Sequence, residues 1–355
     1  MNRTGVSAYA NVQARVKAML SQMLDRSMWT RLSASNDQEM LISLLRSTAY
    51  GKYLAGVKDS VLTTRRTAFE IRKRLAEVFI TVINHSPNFA KPLIEQLFKI
   101  YEVDNLKAVL RGITAGEGWE QTRYMLFSME GYPTLPYQNL MEAGNIQKAL
   151  DLLSKTTYRK ELEPALSRYE KENSLFPLEV SLDLNYWQDT WKLIGDLPPS
   201  DSAVARELIG MIVDKNNLMW AARYRDFHKM NESEIINYTL SFGNKVNDKV
   251  IKEIAGGKDP FTSVKEIYPK VSITVDHVPG STPELAILES ILERQIKAKC
   301  ISATTGNPFN IGLLIGFLFQ LENEVHDLVV MLEAKSMGIK PTFYQNYLIN
   351  QIENA

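Results

Sequence analysis

The sequence predicts an all-α fold on three observations: apolar residues recur at helical spacing, helix-start signals are frequent, and alternating strand patterns are nearly missing. Between Tyr9 and Leu32, Val12, Val16, Met19, Leu20, Met23 and Leu24 recur in steps of three and four, the stripe of one amphipathic helix. Asn36 with Glu39 and Asn231 with Glu234 read as capping boxes, in which two side chains satisfy the first orphan amides of a helix. Ser86-Pro87, Asp259-Pro260, Thr282-Pro283 and Asn307-Pro308 place a capping residue before proline at the first helical position. Only Lys270 to Val275 (KVSITV) alternates like a strand. The breaks at Gly131–Pro136, Leu197–Ser200 and Val278–Pro283 are short enough to be corners, so one continuous body is expected rather than tethered domains.

Composition narrows the function. Of 355 residues, 45% are hydrophobic and 23% charged, which supports a packed core and argues against disorder. Lys+Arg and Asp+Glu both number 41, so there is no overall field to attract nucleic acid or an anionic membrane. Cys300 is the only cysteine, which excludes an internal disulfide and a multi-cysteine metal site. The longest nearly pure apolar run, Ile311 to Phe319, falls short of the roughly 18 to 20 residues that span a bilayer. The first residues carry no apolar block or small-residue cleavage site, so a cytoplasmic location is expected.

The chain also resembles itself. Trp29–Leu54 aligns without a gap on Tyr137–Leu162 at an offset of 108, with Leu32/Leu140, Leu44/Leu152, Leu45/Leu153, Thr48/Thr156, Tyr50/Tyr158, Lys52/Lys160 and Leu54/Leu162 identical. A weaker third copy sets Asn247–Phe261 on Asn36–Tyr50, which puts Phe261 where Tyr50 stands. A second motif accompanies the copies: Asn11, Asn105 and Asn217 each precede an aliphatic residue, with Arg15, Arg111 and Arg223 further along the same helix, and Asp327-Leu328 takes the equivalent place near the C-terminus. Copies a third of the chain apart predict three related units about an axis. In the first instance such positions serve packing and capping, repeated because the fold repeats.

Motifs that carry chemistry are missing. No P-loop is present, since Gly256-Gly257-Lys258 lacks the earlier glycine and is followed by Asp259, and no G-x-G-x-x-G follows a strand. His85, His228, His277 and His326 are scattered without metal-ligand spacing, and neither a G-x-S-x-G elbow nor a D-D-x-x-D helix occurs. Cys300 reads as a packing residue, and Thr63–Thr67 with Arg72, Lys73 and Arg74 as a solvated basic helix face. Glu322 and Glu324 are two apart on a helix and point to different faces, so they are no acid–base pair. No catalytic, cofactor or metal residue is expected.

YANVQARVKAML, Thr48-Ala-Tyr50, VDNLKAVLRGITAG, IVDKNNLMWAARY and NPFNIGLLIGFLFQLENEVHDLVVMLEAKSMGI together resemble the C subunit of V-type and archaeal or bacterial A-type ATPases, which corresponds to the d subunit of eukaryotic enzymes. The resemblance runs from about Tyr9 to Ile339. In its last block the family pattern Lys-Glu-x-Glu-Val-x-Asn-Leu-Arg meets Leu321, Asp327 and Val329 in place of Lys, Asn and Arg. The resemblance implies three pseudo-symmetric helical repeats forming a funnel-shaped single body, with units near 1–100, 101–212 and 213–355. It implies a non-catalytic rotor part on the cytoplasmic face, held to the membrane through the ring. Its implied partners are the central shaft subunits D and F and the proteolipid rotor ring, with no nucleic acid and no small-molecule substrate. Asn11, Arg15, Asn105, Arg111, Asn217 and Arg223 are then the candidate interface positions near the pseudo-axis. Two other readings compete with it: a helical-repeat scaffold unrelated to rotary motors, which predicts an open superhelix, and an all-α enzyme, which needs a pocket of converging titratable groups.

Overall fold

A computed structural model describes residues 6–58, 61–269 and 282–350. Every regular element among them is helical. In chain order these are α1 (Val6–Leu20), α2 (Arg26–Ala34), α3 (Gln38–Leu45), α4 (Gly51–Leu54), α5 (Thr64–His85), α6 (Lys91–Phe98) and α7 (Ile100–Ala115). There follow α8 (Trp119–Thr122), α9 (Tyr137–Glu142), α10 (Ile146–Leu152), α11 (Thr157–Glu172), α12 (Phe176–Gly195) and α13 (Pro199–Asp226). The last are α14 (Glu232–Asn237), α15 (Asp248–Ala255), α16 (Pro260–Ile267), α17 (Thr282–Thr305), α18 (Ile311–Ser336) and α19 (Pro341–Tyr344). The strand expected at Lys270–Val275 lies outside the described residues.

Start signals were legible to within a few residues. Asn231 and Glu234 make both bonds of a capping box, at 3.0 Å each, and Asp259 caps α16 by accepting from the Thr262 amide at 2.9 Å. At the third helix the cap is Asp37 and not Asn36, because Asp37 has the extended backbone that lets its carboxylate reach the Met40 amide. Asn307 turns the chain by accepting from Phe309, while Asn310 caps α18. Ser86-Pro87 leads into a turn, and α6 starts only at Lys91. The single helix expected between Tyr9 and Leu32 is two, since the chain breaks after Leu20 and Asp25 caps α2 through the Met28 amide at 2.7 Å.

The chain forms two compact units: Met1–Lys52 with His85–Ala90 and Ile194–Ala355, and Tyr53–Asn84 with Lys91–Leu193. In the first, α17 and α18 are the most extensively packed pair and α13 lies against both. The apolar run read from the sequence becomes the heart of α18, where Ile311 to Leu318 are all buried. A helix apolar all round belongs in the middle of a core, and no described helix is long and apolar enough to cross a membrane. Gly316 lets the two helices meet: a Cβ there would lie 2.7 Å from the Cys300 carbonyl oxygen. The second unit is centred on rings, with Phe79 stacked on Phe98 at 5.1 Å and Tyr101 on Phe127 at 3.9 Å. Such pairs add about 0.5–1.5 kcal/mol each beyond the area they bury.

Candidate functional site

Asn105 on α7 and Asn217 on α13 are buried, and each holds a loop in the same way. The Asn105 side chain donates to the Phe127 carbonyl at 2.9 Å and accepts from the Phe127 amide at 2.6 Å. The Asn217 side chain donates to the Leu240 carbonyl and accepts from the Leu240 amide, both at 2.8 Å. A carboxamide has one acceptor and one amine donor group, so it closes on both polar groups of a single loop residue. The latched residue lies 22 positions beyond Asn105 and 23 beyond Asn217. Asp327 on α18 does related work: its carboxylate accepts from the amides of Ile349 at 2.8 Å and Asn350 at 2.5 Å. An acid cannot donate as a carboxamide does, and Asp327 therefore binds two successive amides instead of one residue's amide and carbonyl.

Three residues before each of these stands an acid; sequence reasoning missed Glu102 and Asp214, and named Glu324 only as no part of an acid–base pair. Glu102 accepts from the Tyr158 hydroxyl, Asp214 from that of Tyr268 and Glu324 from that of Tyr50, each at 2.7 Å. Two of the acids also take loop amides: Asn244, Lys245 and Val246 for Asp214, and Leu24 for Glu324. Gly243 is required beside Asp214, where any Cβ would overlap the carboxylate. Burial pushes Glu102 and Asp214 above the usual carboxylate range, with the tyrosine hydroxyl pulling back in each. Burial, reinforced by the neighbouring carboxylate, also raises Tyr158 and Tyr268, so both phenols stay protonated and donate. The signal that could have found the acids is a carboxylate three residues before Asn or Asp, at 102/105, 214/217 and 324/327.

Tyr50, Tyr158 and Tyr268 thus play one part, and the assignment of Phe261 to the Tyr50 position is corrected. From the helix cap to the tyrosine is 13 residues in Asp37–Tyr50 and Asn145–Tyr158 but 21 in Asn247–Tyr268. The extra length holds α16, and a gapless alignment cannot step over it. Phe261 lies on α16 and is buried as an apolar core residue.

The arginines are placed differently. Arg111 pairs with Glu179 at 2.5 Å and Lys107 with Asp183 at 2.7 Å, bridging α7 to α12. Arg223 pairs with Glu289 at 2.6 Å and Lys215 with Glu293, bridging α13 to α17. In each set the two acids are four apart, one turn of one helix. Burial would lower Lys107, but Asp104 and Asp183 outweigh it and hold its ammonium above the ordinary value. Arg111 is 63% and Arg223 40% exposed, so they border solvent while the lysines are covered. Asn11 and Arg15 are brought to neither a latch nor a bridge: Arg15 donates to Asn11 at 3.3 Å on the exposed face of α1.

Nothing in these arrangements presents a reactive group. Among the described residues no cluster of three His, Cys, Asp or Glu is placed to hold a metal ion. Cys300 is fully buried, and that burial pushes its thiol up to about 12. The family model for the ATP synthase (C/AC39) subunit matches residues 12–347. The chain belongs to this family. Relatives in the C/AC39 family extend over nearly the whole sequence: the A-type ATP synthase C subunit of Methanocaldococcus jannaschii is 25% identical over 97% of this chain and 87% of its own. That of Methanococcoides burtonii is 26% identical over 97% and 94%, and that of Haloferax volcanii 21% over 98% and 99%. As a C/AC39 chain, its three latches span Leu24 to Asn350, nearly the extent of the family match.

Proposed function

We propose that this chain is a non-catalytic coupling part of an A/V-type rotary ATPase, seated between the central shaft, subunits D and F, and the proteolipid rotor ring. Torque would pass through it during ATP-driven ion transport or ion-driven ATP synthesis, and its attachment to the cytoplasmic face would be peripheral, through the ring. The observation that supports this most is the latch built three times on α7, α13 and α18, in a chain of the C/AC39 family. A part that transmits torque has to resist twisting, and side chains bonded to backbone amides fix loops and short helices on a long buried helix. On this reading the chain comprises three related units, near 1–100, 101–212 and 213–355, arranged as a funnel. Arg111 and Arg223, ion-paired yet facing solvent, are the positions best placed to meet a partner's acidic groups, with Asn11 and Arg15 the corresponding exposed pair on α1.

The test is binding of the purified chain to the detergent-solubilised ring and to the soluble head with its shaft, with an ATPase assay of the chain alone. Binding to both without hydrolysis is the expected result. A folded sample that binds neither cognate partner would overturn the reading. Charge reversal at Arg15, Arg111 and Arg223 then asks whether these positions carry the contact: exposed ion pairs contribute at most about 1 kcal/mol to folding, so lost capture with an unchanged melting temperature would mark an interface.

A further inference from the structure

A cavity of about 470 Å³ opens in the second unit, lined by Arg66 and Phe69 of α5, Trp119 of α8, and Arg123, Tyr124 and Tyr132 beyond it. Both guanidiniums lie against the Tyr124 ring, with their carbons 4.7 Å and 4.5 Å from its centroid. Each already has one acid: Arg66 pairs with Glu70, which Lys73 shares at 2.7 Å, and Arg123 with Glu120 at 2.9 Å. The Nε–H of each arginine is nonetheless buried with no acceptor. Neither Nε is open to the cavity, but both side chains keep exposed surface, 25% for Arg66 and 39% for Arg123, on which an oxyanion would find charged donors.

The rings point the same way. Phe69 and Tyr124 are paired edge to face at 5.6 Å, and Tyr132 is packed against Phe98 at 5.2 Å. Trp119 lines the cavity, half-buried, and among the described residues it contacts no other ring. An indole lining the same cavity as two guanidiniums is the chemistry that takes a planar ring carrying an anion. The volume lies within the roughly 300–1,000 Å³ of small-molecule sites. Glu130, exposed at the rim, disfavours a polyanion and suits a hydroxyl or amino donor.

We propose that this cavity binds a small planar-ring phosphate of the nucleoside monophosphate class, its phosphate on Arg66 and Arg123 and its ring on Trp119.

Calorimetric titration of the full chain with AMP, with inorganic phosphate and adenosine as separate arms, tests this. AMP is expected to bind more tightly than either fragment, and Arg123→Gln and Trp119→Leu should each weaken it by about tenfold or more. Both residues are only partly covered, so the variants are expected to keep the wild-type circular dichroism spectrum; Arg66 is left intact because it neutralises buried Glu70. No heat from AMP at millimolar concentration would overturn the proposal. So would AMP binding no tighter than phosphate or adenosine, or an affinity untouched by both substitutions in folded protein.

Discussion

At the scale of single residues, the contrast between Asn217 and Asn11 makes a stability prediction. Both are asparagines in repeated sequence motifs, but Asn217 closes on a buried backbone amide and carbonyl while Asn11 meets only Arg15 on the surface. Asn217→Ala strands two polar groups and should cost about 2–4 kcal/mol in urea unfolding, against less than about 0.5 kcal/mol for Asn11→Ala. Glu102 yields a pH prediction. Burial raises its pKa in the folded state, so the native chain takes up this proton before the unfolded chain does. The stability it contributes therefore rises as pH falls through the raised value and levels off near the ordinary carboxylate value. Relative to Glu102→Gln, the wild type should gain in melting temperature as pH falls from neutrality towards the ordinary carboxylate range; a constant difference would show that Glu102 does not titrate as placed. Cys300, a covered thiol held up to about 12, should react with iodoacetamide only as the protein unfolds, tracking the loss of helical signal.

At the scale of elements, the close crossing of α17 and α18 depends on Gly316. Alanine there would gain about 1 kcal/mol of helix propensity, yet its Cβ would meet the Cys300 carbonyl at 2.7 Å and the Thr304 methyl at 3.1 Å. Overpacking of that kind costs about 1–3 kcal/mol, and backbone cannot yield as a side-chain tip can, so Gly316→Ala should lower the denaturation midpoint. Gly195→Ala, whose Cβ would find only the Arg206 tip at 3.9 Å, should leave it within error. The same elements show what the sequence made legible. Helical periodicity and caps depend on neighbours within a turn or two, and the all-α class, the Asn231 box and the Asp259 cap follow from them. The break after Leu20 did not, because the apolar spacing runs on through it while a distant acid, Glu324, takes the Leu24 amide. The tyrosine–acid pairs were hidden for a related reason: their partners are 54 and 56 residues apart within a copy, and α16 shifts one copy out of register.

At the scale of the whole molecule, the latch on α18 differs from the other two in how the chain supplies it. Glu102 and Asp214 reach forward to later tyrosines, Tyr158 on α11 and Tyr268 just past α16, whereas Glu324 reaches back 274 residues to Tyr50 and 300 to Leu24. Asp327 on the same helix holds Ile349 and Asn350, so segments near the two ends of the described chain are fastened within one turn of α18. Lys335, at the end of α18, adds bonds to the carbonyls of Ser33 at 3.0 Å and Ser35 at 2.5 Å. Contacts of such sequence separation close only when most of the chain is in place, so this fastening is expected to form late and to be the first to open. Removing the Tyr50 hydroxyl deletes its hydrogen bond to the Glu324 carboxylate, worth about 1.5–3 kcal/mol. In native-state hydrogen exchange, Tyr50→Phe should speed the amides of α2 and α3 by about tenfold or more while those of α14 and α15 keep their rates. Tyr268→Phe should do the reverse, loosening α15 and α16 and sparing α2 and α3. If both variants instead accelerated every amide of the first unit equally, the latches would be parts of one cooperative core, and the chain ends would have no separate clasp to release.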